Sequence, residues 1–319
     1  MTNAALVTRF GRRWAIEVRE VAKPVPGPGE VLVRVRAATV NRTDCGELLH
    51  PLLERMITRG QPRRTILGLD FAGEVEAVGA GVSGFAPGDR VFGMCPRGRS
   101  GGQAGYVCIP EDGPIGALPA NVPFGAAPVC EGAYYAGATV AAFGLGPGKE
   151  ILVFGASGAI GSAAVQLAKI AGAEVVAVVE GRHVELARRL GADRVIDSAS
   201  AEYRALGRFD FVMDAVGKMK VGEWRRLLKP GGRFAVTDLG PGWQDAPFLL
   251  WSALRRDGRV SVPLPKRGSA RGFIHFLGEK MAAGTYKAAV DRSYRLEEIG
   301  EAYRYVMTGR KAGIVVIEV

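Results

Sequence analysis

Histidine is scarce in this chain. His50, His183 and His275 are the three in 319 residues, and none lies near another. A bound transition metal needs three or four donors at fixed geometry, so isolated imidazoles argue against a histidine-rich metal centre. Cysteine is scarce as well: Cys45, Cys95, Cys108 and Cys130 are scattered, with no C-x-x-C pair. That spacing suggests neither a zinc cluster nor a disulfide framework, and the four read as free thiols in a reducing compartment. No apolar run reaches the roughly 20 residues that span a bilayer. The opening "MTNAALVTRFGRRW" lacks the apolar centre of a secretory leader, so a cytoplasmic protein without a membrane partner is expected. There is no internal repeat, no low-complexity segment and no run of five or six like charges. The formal net charge is nevertheless +10 and the pI about 9.7. The basic residues come as dispersed pairs, such as Arg12–Arg13, Arg63–Arg64 and Arg188–Arg189. This reads as a solvated basic surface, and a nucleic-acid partner is not expected.

What is present is a balanced composition, 48% hydrophobic and 23% charged, on a chain long enough for two domains. Up to about residue 120 the pattern is of short strands between Gly/Pro-rich turns, as in "KPVPGPGEVLVRVRAATV", "DFAGEVEAVG" and "GDRVFGM". Such strands suggest a barrel-like β domain. The rhythm then changes. "EILVFG", "EVVAVV", "RVID", "FDFVMDAVG", "RFAVTDLG" and "RVSVPLP" are short apolar strands, and helical stretches such as "SAAVQLAKIAG", "VELARRLGA" and "EWRRLLKPGG" lie between several of them. Continuous apolar strands are covered on both faces, so a doubly wound parallel sheet is expected. The tail offers two helices and a last strand, "AGIVVIEV". The expected division is 1–120 and 264–319 for one domain, with 121–263 for the other.

The most informative stretch is "EILVFGASGAIGSAAVQLAK", from Glu150 to Lys169. Its Gly155, Gly158 and Gly161 could serve helix–sheet packing, or they could bare the backbone for a phosphate. The context of strand, turn, helix and second strand favours a dinucleotide. Ala156, Gly158 and Gly161 occupy the fingerprint positions, with Ser157, Ala159 and Ile160 between them. The helix start offers free N–H groups to a pyrophosphate. The second strand closes at Glu180, an acidic residue suited to ribose hydroxyls and NAD(H). Arg182, two residues on, is suited to a 2′-phosphate and NADP(H). The two signals conflict, and either charge could simply be solvated.

These segments, with "ILGLDFAGEVEAVGAGVSGFAPGDRVFG", "LGADRVID", "LLKPGGRFAVTD" and "GRKAGIVVIEV", make nearly the whole chain resemble the zinc-independent medium-chain dehydrogenase/reductase superfamily, of quinone oxidoreductase type. The resemblance implies a GroES-like β-barrel domain built from both chain ends, with a Rossmann-type doubly wound sheet inserted. It implies a metal-free oxidoreductase that moves a hydride from NADPH or NADH, with a lean to NADPH, to a quinone, an α,β-unsaturated carbonyl or a similar small acceptor. Homodimers joined through an edge strand, here "RVSVPLP", are a further implication. An alcohol/carbonyl oxidoreductase, or a non-catalytic protein that binds cofactor or nucleic acid, is the alternative.

Zinc-dependent relatives place a cysteine where this chain has Asn41, and Gly-His-Glu where it has Gly68-Leu69-Asp70. Two ligands are thereby missing, and no zinc is expected. By the same resemblance Asn41 and Asp44 are the candidate catalytic residues. Asn41 would donate to a carbonyl oxygen or hold the cofactor ribose, and Asp44 would orient its neighbours. The family's tyrosine near the substrate is replaced by Gly46, and Tyr134 or Tyr135 could stand in for it. The turn after "FDFVMD", with Ala215, Val216 and Gly217, and the pair Leu239 and Gly240 one strand later are expected at the cofactor. Trp243 is expected in the wall of the substrate pocket.

Overall fold

The structure is a computed structural model. It describes residues 1–50, 65–96, 101–200, 202–237, 244–255, 257–266 and 268–319. The chain forms two compact units, Met1–Glu131 with Gly268–Val319, and Gly132–Arg267.

The first unit opens with an antiparallel hairpin, β1 (Thr2–Arg9) and β2 (Ala15–Val21). Then follow β3 (Glu30–Val40), helix α1 (Arg42–Leu49), β4 (Asp70–Val78), β5 (Arg90–Met94), β6 (Tyr106–Pro110) and β7 (Ile115–Ala117). β3 is the spine of this sheet. One edge pairs with β4; along the other edge Glu30–Arg34 pairs with β6. Strict in–out alternation would leave every second residue wet. Here Val31, Leu32 and Val33 are all buried, so both faces of β3 are covered along this stretch.

Helix α2 (Cys130–Phe143) contains the division between units, which falls after Glu131. The second unit continues with β8 (Glu150–Phe154), α3 (Ala159–Ile170), β9 (Glu174–Val179), α4 (Val184–Arg189), β10 (Arg194–Asp197), β11 (Phe209–Asp214), α5 (Val221–Arg226), β12 (Leu228–Val236), α6 (Ala246–Arg255) and β13 (Val260–Ser261). The sheet runs β10-β9-β8-β11-β12-β13, and every described pair is parallel. Parallel strands need crossovers, and the crossover helices cover the sheet faces. Under them Trp224 stacks on Phe234 with ring centres 4.5 Å apart, and Phe248 meets it edge-on at 5.6 Å.

Two expectations fail in detail. "EWRRLLKPGG" is helical only to Arg226. From Leu228 the chain is strand: Leu228 pairs with Phe209, the register shifts, and Arg233 pairs with Phe211. A bulge accommodates Pro230, which has no N–H for a ladder. "RVSVPLP" forms only the two-residue strand β13, because Pro263 and Pro265 stop it.

The chain then returns to the first unit as α7 (Ala270–Ala282), β14 (Val290–Arg295), α8 (Ile299–Met307) and β15 (Ile314–Glu318). β15 lies antiparallel to β3, with Val315 opposite Val40, so the last strand completes the sheet of the first segment. Tyr303 of α8 is fully buried in this core and donates its hydroxyl to Gln103 Oε1 at 3.0 Å.

Candidate functional site

In the second unit the carboxyl ends of β8, β9 and β11 carry the residues expected at a dinucleotide. After β8 the chain turns at Gly155, whose φ of 75° lies in the left-handed region. The N–H groups of Gly155 and Ala156 both donate to Val178 O of β9, at 2.9 and 3.2 Å. The tight turn is therefore made one residue before the fingerprint. This is why Ala156, fully buried, tolerates its methyl group. A Cβ on Gly161 would lie 2.2 Å from Gly155 O, so this position accepts only hydrogen. A Cβ on Gly158 would meet only Gly155 O, at 3.7 Å. Its bareness is not required by the chain's own packing and suits an external ligand. Gly158 is the N-cap of α3, and no side chain caps that helix. Ser157 is buried before it, and Ala159 and Ile160 form the first turn. The donors and the helix dipole are what a pyrophosphate needs, so the residues present fit a dinucleotide.

Glu180 follows β9 directly and pairs with Arg182 at 2.6 Å, both half-exposed. The two conflicting signals of the sequence thus neutralise each other at one place. At the end of β11, buried Asp214 accepts the N–H groups of Val216 at 3.1 Å and Met219 at 2.6 Å. Burial pushes this carboxyl up, and those N–H groups partly offset it. The brace fixes the turn of Ala215, Val216 and Gly217, and leaves the Val216 side chain 37% exposed beside Gly155. Tyr134 is tied down: its hydroxyl donates to Lys266 O at 3.0 Å. Tyr135, next to it on α2, is partly buried. Leu239, Gly240 and Trp243 lie outside the described residues.

In the first unit Asn41 and Asp44 belong to a buried polar cluster. Asn41 follows β3 and stands at the N-cap position of α1, with no side-chain cap hydrogen bond. Asp44 accepts Asn41 N–H at 2.7 Å and Gly68 N–H at 3.1 Å, lashing the helix start to the segment before β4. Its carboxylate thus accepts two backbone N–H groups. The Asn41 amide Nδ2 donates to Thr39 Oγ1 at 3.2 Å and Asp70 Oδ2 at 3.3 Å. Asp70 Oδ1 accepts Glu131 N–H at 2.8 Å. The Glu131 carboxylate in turn accepts the Thr43 hydroxyl.

Asp70 is fully buried. Burial, then the neighbouring Glu131 and Asp44 charges, push its carboxyl well above the usual range. Burial and Asp70 together push the Cys130 thiol up. Burial lowers the Lys311 ammonium to about 8 against the pull of Glu131. Thr39, Asp70, Glu131 and Cys130 were not marked as site residues by sequence reasoning. The available signal was an aspartate opening the apolar strand "DFAG", where a buried charge needs a reason.

The donor set does not fit zinc. At the positions where zinc-dependent relatives hold cysteine and histidine, Asn41 and Leu69 offer a neutral amide and methyl groups. Among the described residues no group of three or more His, Cys, Asp or Glu side chains could hold a metal ion.

Comparison with known proteins agrees with this architecture. Residues 27–120 match the alcohol dehydrogenase GroES-like domain, and residues 190–317 match a family described as zinc-binding dehydrogenase. A chloroplastic quinone-oxidoreductase homologue of Spinacia oleracea is 30% identical over 95% of this chain and 94% of its own. Acryloyl-coenzyme A reductase of Metallosphaera sedula is 30% identical over 96% and 97%. The solved structure of an NAD-dependent alcohol dehydrogenase superposes with a TM-score of 0.82 at 27% identity, covering all of both chains.

The chain belongs to the medium-chain dehydrogenase/reductase superfamily, in its quinone oxidoreductase-like branch. It is an NAD(P)-dependent oxidoreductase whose Rossmann-like unit is inserted in a GroES-like one. No helix among the described residues is long and apolar enough to cross a membrane.

Proposed function

We propose that this enzyme is a metal-free NADPH-dependent reductase of quinones, α,β-unsaturated carbonyls or similar activated acceptors. The observation that carries the reading is the uncapped helix start at Gly158, left open where a pyrophosphate would approach. The relatives named quinone oxidoreductase homologue and acryloyl-coenzyme A reductase support the acceptor class. The segments around Gly158, Asp214–Gly217 and Leu239–Gly240 are the proposed cofactor-binding residues. Arg182 is proposed to meet the 2′-phosphate. Its exposed pair with Glu180 is worth little, so a dianion displaces the carboxylate readily.

A reduced nicotinamide, when bound, supplies the hydride. The chain supplies position and field. Asn41 Nδ2 donates to the acceptor's carbonyl oxygen, where enolate charge develops. Asp44 holds Asn41 through the backbone. Solvent delivers the proton that completes the reduction. Tyr134, Tyr135 and Trp243 are proposed for the pocket wall, and a cytoplasmic homodimer is the proposed form.

Titration of the purified protein with NADPH and NADH, followed by an acceptor screen, tests the reading. Oxidation of NADPH by a quinone or enone is expected, unchanged by EDTA or added zinc. Asn41→Ala is expected to lower kcat/KM roughly hundredfold with NADPH affinity intact. Binding of neither nucleotide would remove the proposal.

A further inference from the structure

Asn41 has an unusual vacancy in its hydrogen bonding. It is 3% exposed, its Nδ2 serves Thr39 and Asp70, and its Oδ1 is buried with no hydrogen-bond partner among the described residues. A half-turn of the amide exchanges Oδ1 and Nδ2. Oδ1 then faces Thr39 Oγ1 and Asp70 Oδ2 and needs a hydrogen from each. The Thr39 hydroxyl rotates to give one. Asp70 gives the other when Oδ2 carries a proton. Asp70 Oδ1 remains the acceptor for Glu131 N–H, so the carboxyl is satisfied at both oxygens. The turned amide exchanges the orphaned acceptor for two Nδ2 hydrogens, which a bound carbonyl oxygen can accept.

We propose that Asp70 carries a proton in the working enzyme and holds the Asn41 amide turned so that Nδ2, not Oδ1, is presented to the acceptor's carbonyl oxygen. The inference rests on Asn41 as the polarising donor. Asp70 itself is a positioning residue. With Asp70 ionised, Asn41 must give Nδ2 to the carboxylate and present Oδ1, which repels a carbonyl oxygen.

The surroundings of Asp70 favour the proton. Glu131 and Cys130 face it from α2, Asp44 from α1, and Tyr286 from the chain after α7. The half-buried Lys311 acts on Glu131 and Asp291. Two carboxylates and two weak acids therefore surround a fully buried carboxyl, and burial and like charge both disfavour its ionisation. A raised carboxyl stays neutral to higher pH. The productive amide orientation is fully present below the folded pKa of Asp70 and is lost as pH rises through it.

The test pairs kinetics with infrared spectroscopy. In wild type, kcat/KM for the acceptor is expected to fall on the alkaline side. The carbonyl stretch of an un-ionised carboxylic acid is expected at neutral pH and should fade over the same pH range. Asp70→Asn keeps an acceptor for Glu131 N–H and a permanent donor for Asn41. Whatever its absolute rate, it should lack both the infrared band and the alkaline limb. A band absent from wild type at neutral pH, or an alkaline limb that persists in Asp70→Asn, overturns the proposal. The wild-type spectrum decides even if the variant folds poorly. Asn41→Ala separates the two readings. If kcat/KM is unchanged, Asn41 is not the donor and both fall. If it drops while Asp70→Asn retains the limb, only the role of Asp70 falls.

Discussion

In the dinucleotide turn, sterics fix Gly161 as glycine. A methyl group there would collide with Gly155 O and with Ala156 Cα, at 2.2 and 2.8 Å. Backbone atoms of a tight turn cannot give way as a long side chain can. Gly161→Ala should push α3 off β8, cost about 1–3 kcal/mol, and misplace the helix start. Calorimetry would show a lower melting temperature together with weaker NADPH binding; a variant that binds NADPH normally would refute this account of the turn. Glu180 and Arg182 are the residues proposed to choose between the two nucleotides. Arg182→Ala should weaken NADPH binding and spare NADH, because only the former has a 2′-phosphate. Glu180→Ala should instead favour NADPH by removing a competing carboxylate. Fluorescence titration of both variants with both nucleotides measures this, and equal effects on the two nucleotides would strip Arg182 of its role.

At the scale of elements, the amino ends of three strands are laced together by Asp210 of β11. Its carboxylate accepts Glu150 N–H of β8 at 3.0 Å and Lys229 Nζ of β12 at 3.0 Å, and Lys149 stands 3.8 Å away. Burial alone would raise this carboxyl; the Glu150 N–H and Lys229 outweigh it and hold it below the usual range. A lowered carboxylate contributes stability above its unfolded pKa and loses it as pH falls through the folded value. Asp210→Asn should therefore cost about 1–3 kcal/mol at neutral pH, and the gap to wild type should close in acid. Melting curves across pH give the answer; a constant gap would place the effect elsewhere. Elements such as β8, β9 and α3 were legible because a continuous apolar run followed by glycines and a helical stretch has one physical solution. The polar cluster was less so. Asn41 and Asp44 came from resemblance, while Asp70, Thr39 and Glu131 lie far apart in sequence and meet only because β3, β4 and the start of α2 converge. Pattern carries no information about such convergence. Pro230 misled in the other direction, since a proline within a strand requires a bulge that periodicity does not announce.

For the whole molecule the open matter is assembly. The parallel sheet ends at β13, two residues long, whose outer edge pairs with no described strand. Beside it in the chain, α6 leaves Leu250 63%, Trp251 56% and Leu254 72% exposed, and Leu264 follows at 67%. A lone exposed leucine is ordinary, but four large exposed apolar side chains within 15 residues of the chain call for something to cover them. A second copy of the same unit is the economical cover: a two-fold axis at β13 would set edge against edge and patch against patch. The charge of +10 adds repulsion between copies, which the apolar area must outweigh. Each fully buried leucine contributes about 1.5–3 kcal/mol, so Leu250 and Leu254 alone, four side chains in a dimer, are enough to matter. Sedimentation of the wild type should report a dimer at micromolar concentration. The double variant Leu250→Lys with Leu254→Lys should sediment as a monomer that still binds NADPH, because the Gly155–Gly161 turn is built by β8, β9 and α3 and owes nothing to α6. A wild type that sediments as a monomer would leave this face without the proposed occupant.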